Sequence, residues 1–334
     1  MIAMRNEEKN SLNSVTFIDL FAGIGAFRTA LESFGAKCVF SSEWDYDAQN
    51  TYEMNYGERP LGDITKIDEK DIPKHDILCA GFPCQPFSIS GKQLGFADTR
   101  GTLFFDVVRI VKKHKPSIIL LENVKNFASH DNGRTLFVVT NTLNDLGYDV
   151  YHDILNAANY GIPQKRERIF FVCFKKEFNV KKFNFPKPIA LVNHLCDYLL
   201  SDEETSEFVI NREDIFMKDN VVEHYSNTAL RIGIVNKGGQ GERIYSPMGT
   251  AITLSAYGGG VGAKTGLYLV NGKVRRLAPR ECARIEGFPD TFKLPDNKNI
   301  AFKQFGNSIV VDVLQYIIRE IILCGKKENI IFFE

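Results

Sequence analysis

Short apolar runs, each ending in a glycine or acidic turn, alternate with stretches of helical spacing through the first half of this chain. Val15-Thr16-Phe17-Ile18-Asp19-Leu20-Phe21 is the first run, and it breaks into Ala22-Gly23-Ile24-Gly25. That pattern predicts a buried strand entering a tight turn. Residues 27–34 have helical spacing, with Gly35 placed as a C-cap. Residues 37–41 predict a second strand ending at Glu43-Trp44-Asp45, residues 76–80 a third and residues 117–121 a fourth. Helices are expected at residues 103–114, stopped by Pro116, and at 133–146, with further strands near 148–155 and 169–174. Strands and helices alternating at this size predict an α/β domain with a mixed, mostly parallel sheet of Rossmann-like type.

The character of the sequence changes near Lys187-Pro188. From there to about Arg276 helical patterns are few, and Gly238-Gly239 and Gly258-Gly259-Gly260 punctuate the chain. A small domain of short strands and loops is expected. Residues 309–323 return to a strongly apolar helical pattern, which needs a partner to bury its face. The expected organisation is a discontinuous catalytic domain of residues 14–192 and 305–334, a small domain of 193–279, and a hinge region of 280–304.

Composition excludes several classes. The chain has 334 residues, enough for a large and a small domain. No apolar run reaches the ~18 residues of a membrane span. Residues 1–13 are polar and mixed in charge, unlike a signal peptide, so a cytoplasmic protein is expected. Seven cysteines without regular spacing fit reduced thiols and no structural metal. The formal net charge is zero, yet residues 231–284 hold nine Lys/Arg and two Asp/Glu, while 201–224 hold eight Asp/Glu and two Lys/Arg. The charge is therefore segregated, and a basic face on a neutral protein is compatible with nucleic acid.

The glycine turn at Phe21-Ala22-Gly23-Ile24-Gly25 lets backbone approach a ligand. Glu43, twenty residues on and at the end of the next strand, can accept from ribose hydroxyls. The dinucleotide fingerprint needs a third glycine where Arg28 stands, which disfavours NAD or FAD. A ligand with a ribose but no pyrophosphate fits better, and S-adenosylmethionine is one. The glycines at 258–262 do not make a phosphate loop, because Ala263 separates Gly262 from Lys264.

Gly81-Phe82-Pro83-Cys84-Gln85-Pro86-Phe87-Ser88 follows the third strand, at the sheet edge where open α/β sheets hold ligands. Cys84 lies between two prolines. A lone cysteine is more often a small buried hydrophobe than a nucleophile. The fourth strand ends in Leu121-Glu122-Asn123-Val124, which brings a carboxyl group to the same edge. Gln164-Lys165-Arg166-Glu167-Arg168 precedes another strand, and alternation puts Arg166 and Arg168 on one face if the segment is extended. A cationic neighbour there would favour the thiolate of Cys84.

These segments, with Arg280-Glu281-Cys282-Ala283-Arg284 and Gln304-Phe305-Gly306-Asn307-Ser308, occur in the order of the blocks of the DNA cytosine-5 methyltransferases, and the chain resembles that family from about Val15 to Tyr316. Ala26 departs from it where glycine is frequent. The resemblance implies an S-adenosylmethionine domain and a smaller target-recognition domain, with S-adenosylhomocysteine as product. It implies that Phe21, Gly23, Gly25, Glu43, Trp44, Asp63, Ile64, Leu103 and Asn307 bind the cofactor. It further implies Cys84 as covalent nucleophile at C6 of a flipped-out cytosine, Glu122 on N3 and the exocyclic amine, and Arg166 on O2, with Arg168 beside it. Ser90 and Gln240 would fill the gap left by the flipped base. Arg243 and Gln240 would read bases, supported by Thr253 and Tyr257, and Arg231 and Lys264 would be generic phosphate or surface charges.

The segment around Lys237-Gly238-Gly239-Gln240-Gly241-Glu242-Arg243 is similar to that of family members that methylate the inner cytosine of GCGC. The resemblance thus implies a bacterial, cytoplasmic, nucleoid-associated enzyme of a restriction-modification system. It would act as a monomer on double-stranded DNA, with no membrane and no obligatory protein partner. A cognate endonuclease would act on the same site without binding. The alternative is an RNA (tRNA) cytosine-5 methyltransferase, which the long segment between Arg168 and Arg280 disfavours.

Overall fold

The computed structural model describes residues 8–83, 103–219, 224–328 and 330. Contacts divide the chain into two compact units. The first comprises Ala3–Leu155, Glu167–Pro186 and Gln315–Glu334, and the second is built from Asn156–Arg166 and Lys187–Leu314, with Met1–Ile2.

The first unit is built on a six-stranded sheet: β1 (Thr16–Leu20), β2 (Lys37–Ser42), β3 (Ile77–Ala80), β4 (Ile118–Val124), β5 (Tyr148–Asn156) and β6 (Glu167–Lys175), in the order β2-β1-β3-β4-β6-β5. β1 pairs parallel with β2 and β3, and β3 with β4, whereas β4 and β6 run antiparallel. The mixed, mostly parallel α/β sheet expected from the alternation is thus present. Its strands read as continuous apolar runs because both faces are covered. Alternate residues Ile18 and Leu20, Leu78 and Ala80, Ile119 and Leu121, Phe171 and Cys173 join one core cluster with Phe104, Val107, Val108 and Val111 of α3 (Leu103–His114) and Val139 and Leu143 of α4 (Arg134–Asp145). Pro116 ends the chain's helical course after α3, and its carbonyl accepts from the buried Tyr148 hydroxyl at 2.7 Å.

Two helices flank the first turns. α1 (Ala26–Glu32) follows Gly25, and α2 (Tyr46–Tyr56) is capped by the Asp45 carboxylate, which accepts from the backbone N–H groups of Asp47 and Ala48. The sequence reading left α2 unassigned. It buries only Ala48, Thr51 and Tyr52, so it lacks the apolar stripe by which periodicity finds a helix.

The second unit holds a five-stranded sheet of β7 (Ile215–Met217), β8 (Leu230–Val235), β9 (Arg243–Ser246), β10 (Leu267–Val270) and β11 (Lys273–Arg275), in the order β11-β10-β9-β8-β7. Its small core is Ile232, Val235, Ile244, Leu267 and Val274. Short helices α5 (Pro279–Ile285) and α6 (Lys298–Asn307) follow, and α7 (Val311–Lys327) leads the chain back into the first unit at Gln315. The acidic run is tied down locally: Asp202 meets Asn271 and Lys273, and Glu207 meets Lys298.

A core so small needs a further anchor. Arg275 and Glu281 supply one: the guanidinium donates to both carboxylate oxygens at 2.8 Å, with side-chain exposures of 2% and 0%. Glu281 also accepts from the backbone N–H groups of Ala278 and Leu200. Leaving one buried charge unpaired costs about 3–5 kcal/mol, whereas replacing both by apolar groups is often close to neutral. Glu281→Ala is expected to destabilise the intact chain by about that amount, and Arg275→Met with Glu281→Leu by much less. Urea unfolding of the three proteins checks it, and equal losses in the single and double variants would contradict the pairing.

Candidate active site

The first unit gathers one group of predicted residues at the C-terminal ends of β1 and β2. After Leu20 the backbone turns through Phe21 and Gly23, both at φ 55°, and Gly25 at φ 87°. Left-handed backbone is rare for a residue such as Phe21. At Gly25 a Cβ would also come within 2.5 Å of the Tyr56 ring, whose hydroxyl donates to the Gly25 carbonyl at 2.8 Å. At Gly23 a Cβ would meet nothing within 4 Å, so the turn faces open space there. Glu43 braces it: one carboxylate oxygen accepts from Gly23 N–H and the other from Asp45 N–H, each at 2.8 Å. Burial pushes the Glu43 carboxyl up, against the pull of these backbone N–H groups. Each oxygen keeps a lone pair for a further donor.

Trp44 follows, 79% exposed, a large flat apolar surface left mostly bare among the described residues. Leu61 is bridged to Ser42 at the end of β2, and two residues on Asp63 accepts from the Thr65 hydroxyl at 2.8 Å. That hydrogen bond holds the Asp63 carboxyl below the ordinary range. Ile64 is buried, its carbonyl accepting from Arg109 of α3, the helix that opens with Leu103. Asn307, the last residue of α6, is exposed and belongs to the second unit.

Beneath the turn lies a group that the sequence reading did not single out. Asp19 sits in β1 between Ser41 of β2 and Cys79 of β3, fully buried, and among the described residues no hydrogen bond of good geometry closes on either carboxyl oxygen. Burial drives its carboxyl well above the ordinary range, Arg28 pulls it back less strongly, and Glu43 adds to the rise. Its only sequence signal was an acid inside an apolar run.

The second group stands at the end of β4. The antiparallel register sets Glu122 against Phe170 and Val124 against Arg168, so Glu122 and Arg168 are diagonal neighbours on one face. Arg168 Nε lies 3.1 Å from Glu122 Oε1, with side-chain exposures of 16% and 11%. A carboxylate and a guanidinium are thus held together, partly wet, at the sheet edge. Asn123, next in the strand and buried, donates its amide to the Phe82 carbonyl at 2.8 Å. That bond ties the end of β4 to the segment entering Pro83. Cys84 and Ser90 lie outside the described residues.

Arg166, which the resemblance assigns to cytosine O2, has its side chain buried within the second unit. Its side chain is 1% exposed, its guanidinium donates to the carbonyls of Leu254, Gly306 and Ser308, and Glu286 Oε1 lies 3.7 Å away. The physical reason is local. β6 begins only at Glu167, and the preceding residues are bound elsewhere: Lys165 N–H donates to Ala251 O at 2.9 Å and Gln164 to Ile285 O and Glu286. The alternation that would carry Arg166 onto the face of Arg168 does not start early enough.

In the second unit Gln240, Arg243, Thr253 and Tyr257 are all exposed. The Thr253 hydroxyl donates to the Lys165 carbonyl, which fixes the segment leading to Tyr257 beside the one leading to Arg166.

The open glycine turn with its braced acid and the carboxylate–guanidinium pair stand on strands of one sheet. The profile of the family described as C-5 cytosine-specific DNA methylase matches residues 15–323, and the chain belongs to that family; it is a DNA cytosine-5 methyltransferase. It is similar to the Type II methyltransferase M.HhaI of Haemophilus parahaemolyticus, 60% identical over 317 residues that cover 95% of this chain and 96% of the relative. It is also similar to the Type II methyltransferase M.HaeII of Haemophilus aegyptius, 46% identical with 90% of each chain covered. In fold it is similar to the crystal structure of S. pombe Dnmt2 methyltransferase, with a TM-score of 0.71 and 21% identity over 94% of this chain and 99% of that one.

Two measurements test the geometry. Asp19 holds its proton when folded at pH values where the unfolded chain, at about 3.9, has released it. The folded state then binds more protons, so this group lowers stability as pH rises above the unfolded pKa, by at most ~1.4 kcal/mol per pH unit. Asp19→Asn removes that slope, and its stability relative to the parent is expected to improve from pH 5 to pH 8; a pH-independent difference would show that Asp19 is ionised. Separately, Arg166→Ala is expected to cost about 3 kcal/mol or more, since three buried carbonyls lose a charged donor. Arg168→Ala should cost about 1 kcal/mol or less, as a partly exposed pair.

Proposed function

We propose that the chain is the methyltransferase of a type II restriction-modification system, methylating the inner cytosine of GCGC in duplex DNA through a covalent bond from Cys84 to C6. The observation that carries this reading is the 60% identity over nearly the full length of both chains to a protein named as a Type II methyltransferase. The ion pair of Glu122 and Arg168 at the sheet edge supports the chemistry.

The residues at the first turn fit S-adenosylmethionine. The open space at Gly23 admits a ligand against the backbone, Glu43 offers lone pairs to ribose hydroxyls, and the bare face of Trp44 offers a surface for a purine. Phe21, Gly25, Asp63, Ile64, Leu103 and Asn307 complete the proposed set. When bound, this cofactor supplies an electrophilic methyl group on a sulfonium.

Cytosine C5 is a poor nucleophile until C6 is attacked. A Cys84 thiolate adds to C6, because sulfur is strongly nucleophilic and also leaves readily. A protonated Glu122 carboxyl donates to N3, and its other oxygen accepts from the exocyclic amine, as charge moves into the ring. Arg168, at 3.1 Å from Glu122, takes the O2 role, and Arg166 acts as an anchor of the second unit. After methyl transfer the C5 proton is lost and Cys84 is expelled. The base is reached by flipping, which costs a few kcal/mol, with Gln240 and Ser90 filling the gap and Arg243, Thr253 and Tyr257 at the recognised bases. The enzyme works as a monomer in a bacterial cytoplasm, and its endonuclease needs no contact with it.

A GCGC duplex with 5-fluorocytosine at the inner position blocks proton loss and is expected to trap an adduct whose peptide map ends on Cys84. Cys84→Ser should abolish both adduct and turnover while still binding DNA. Full turnover by the serine variant, or trapping at another residue, would overturn the mechanism. Equal methylation of duplexes lacking GCGC would overturn the specificity.

A further inference from the structure

Arg28 stands where a dinucleotide turn would have its third glycine, and the fold gives it other work. Its side chain is buried. Nε donates to Glu32 at 2.7 Å, and one terminal nitrogen donates to Glu58 at 3.0 Å and to the Tyr52 hydroxyl at 3.3 Å. The guanidinium carbon lies 4.6 Å from the centre of the Tyr56 ring and 5.4 Å from that of Tyr52, within reach of cation–π attraction. The two rings are 4.5 Å apart and tilted by 54°. Tyr56, the last residue of α2, is thus gripped by a paired cation of α1 and by Tyr52 one turn earlier on its own helix.

That grip aims the Tyr56 hydroxyl at the glycine turn. The hydroxyl donates to the Gly25 carbonyl at 2.8 Å and meets the Thr29 hydroxyl at 2.7 Å. Thr29 N–H donates to the same carbonyl at 2.8 Å. Gly25 N–H in turn donates to the Ala22 carbonyl at 2.8 Å, so Gly23 lies inside a closed turn. Glu43 fixes one end of that turn at Gly23 N–H, and Tyr56 fixes the other at the Gly25 carbonyl. The Tyr56 ring fills the Cβ direction of Gly25, whereas that of Gly23 is open. Burial pushes the Tyr56 phenol up, so the hydroxyl keeps the proton it donates through the neutral range. We infer that Tyr56 is a positioning residue for the methyl donor: its hydroxyl, held in place by Arg28, sets the Gly25 peptide and through it the backbone at Gly23 that the cofactor approaches. The inference rests on the reading of this turn as the S-adenosylmethionine site, and it extends that site to a residue that acts through the turn rather than by touching the cofactor.

Binding of S-adenosylhomocysteine is the direct test, and it needs no turnover. Trp44 is the chain's one tryptophan and stands exposed next to Glu43, so its fluorescence follows occupancy of the turn. Tyr56→Phe keeps the ring and removes the hydroxyl. It is expected to weaken this binding about fivefold, the scale of one lost hydrogen bond, and to raise KM for S-adenosylmethionine by about the same factor. Its kcat and its affinity for GCGC duplex should stay parental. Thr29→Val removes the neighbouring hydroxyl and should shift cofactor affinity in the same direction. Tyr151→Phe is the control: it removes a tyrosine–carbonyl bond, to Val180 at 3.0 Å, on β5 at the opposite edge of the sheet from β2. Its cofactor affinity should be parental.

Parental cofactor affinity in a folded Tyr56→Phe would overturn the inference. If urea unfolding shows that this variant does not fold, parental affinity in Thr29→Val would overturn it instead. An equal loss in Tyr151→Phe would count against it too, because the effect would then be a general loosening of the unit. So would a fall in kcat at unchanged KM, which would put the hydroxyl's effect on the chemical step and not on the cofactor turn. Failure of the parent to bind S-adenosylhomocysteine at all is a different result, and it would remove the underlying cofactor reading along with this one.

Discussion

Glu122 and Arg168 meet because β4 and β6 run antiparallel in a register that makes them diagonal neighbours on one face. The other described pairings in the same sheet among β1 to β4 are parallel, and a parallel β6 would put its N-terminal residue at the opposite edge. The reversal brings the first residues of β6 to the edge where β3 and β4 end. Asn123 then adds a bond from the end of β4 to Phe82, two residues before Cys84. The ion pair itself is partly wet, so it contributes little to stability. Its value is positional: a fixed carboxylate beside a fixed cation, where the sheet delivers the segment that leads to the cysteine.

The same register explains why two arginines spaced by two residues have separate work. Arg166 is the last residue of one segment of the second unit, and Glu167 opens a segment of the first. The break between units therefore falls between the two guanidiniums. The Arg166 guanidinium donates to the carbonyls of residues 254, 306 and 308 and lies near Glu286, all within its own unit. It holds together the backbone stretches that precede Tyr257 and flank Asn307. A side chain with three buried carbonyl partners is an anchor, and a substrate group would have to displace those partners to use it.

Much of the first unit was legible because its strands are apolar runs and its long helices have apolar stripes. α3 runs from Leu103 to His114, the span the spacing gives, because Pro116 and a well-formed stripe of Phe104, Val107, Val108 and Val111 define both ends. α2 was not legible: it is held by an Asp45 cap and a Gly57 C-cap around a mostly polar sequence. α5 and α6 were missed for a related reason, being 7 and 10 residues long. The glycine turn and the acid that braces it were readable from Gly23, Gly25 and Glu43, since the acid at the end of the second strand is a spacing signal. Asp19 and Asn123 were not, because one is an acid inside a strand and the other a strand-end amide, and only the pairing of distant segments shows what each faces. The burial of the Arg166 guanidinium among carbonyls of its own unit was not legible, because those partners lie 88 to 142 residues away in sequence.

Charge is where counting along the sequence departs furthest from the field a ligand would meet. Nine cations lie between residues 231 and 284, but several are spent inside the fold. Arg275 is sealed against Glu281, Arg280 donates to the carbonyls of Pro289 and Phe292, and Arg284 pairs with Asp290, an acid outside the counted window. Lys273 is matched by Asp202, from the acidic run that looked like an opposing surface. Arg231, Lys237 and Arg243 remain exposed, and Lys264 is half-buried. These positions fall on β8, β9 and the loops beside them, the part of the second unit that carries Gln240 and Tyr257. A neutral protein can then present a basic face to a polyanion, because its acids neutralise the cations that hold the fold and leave those that face outward.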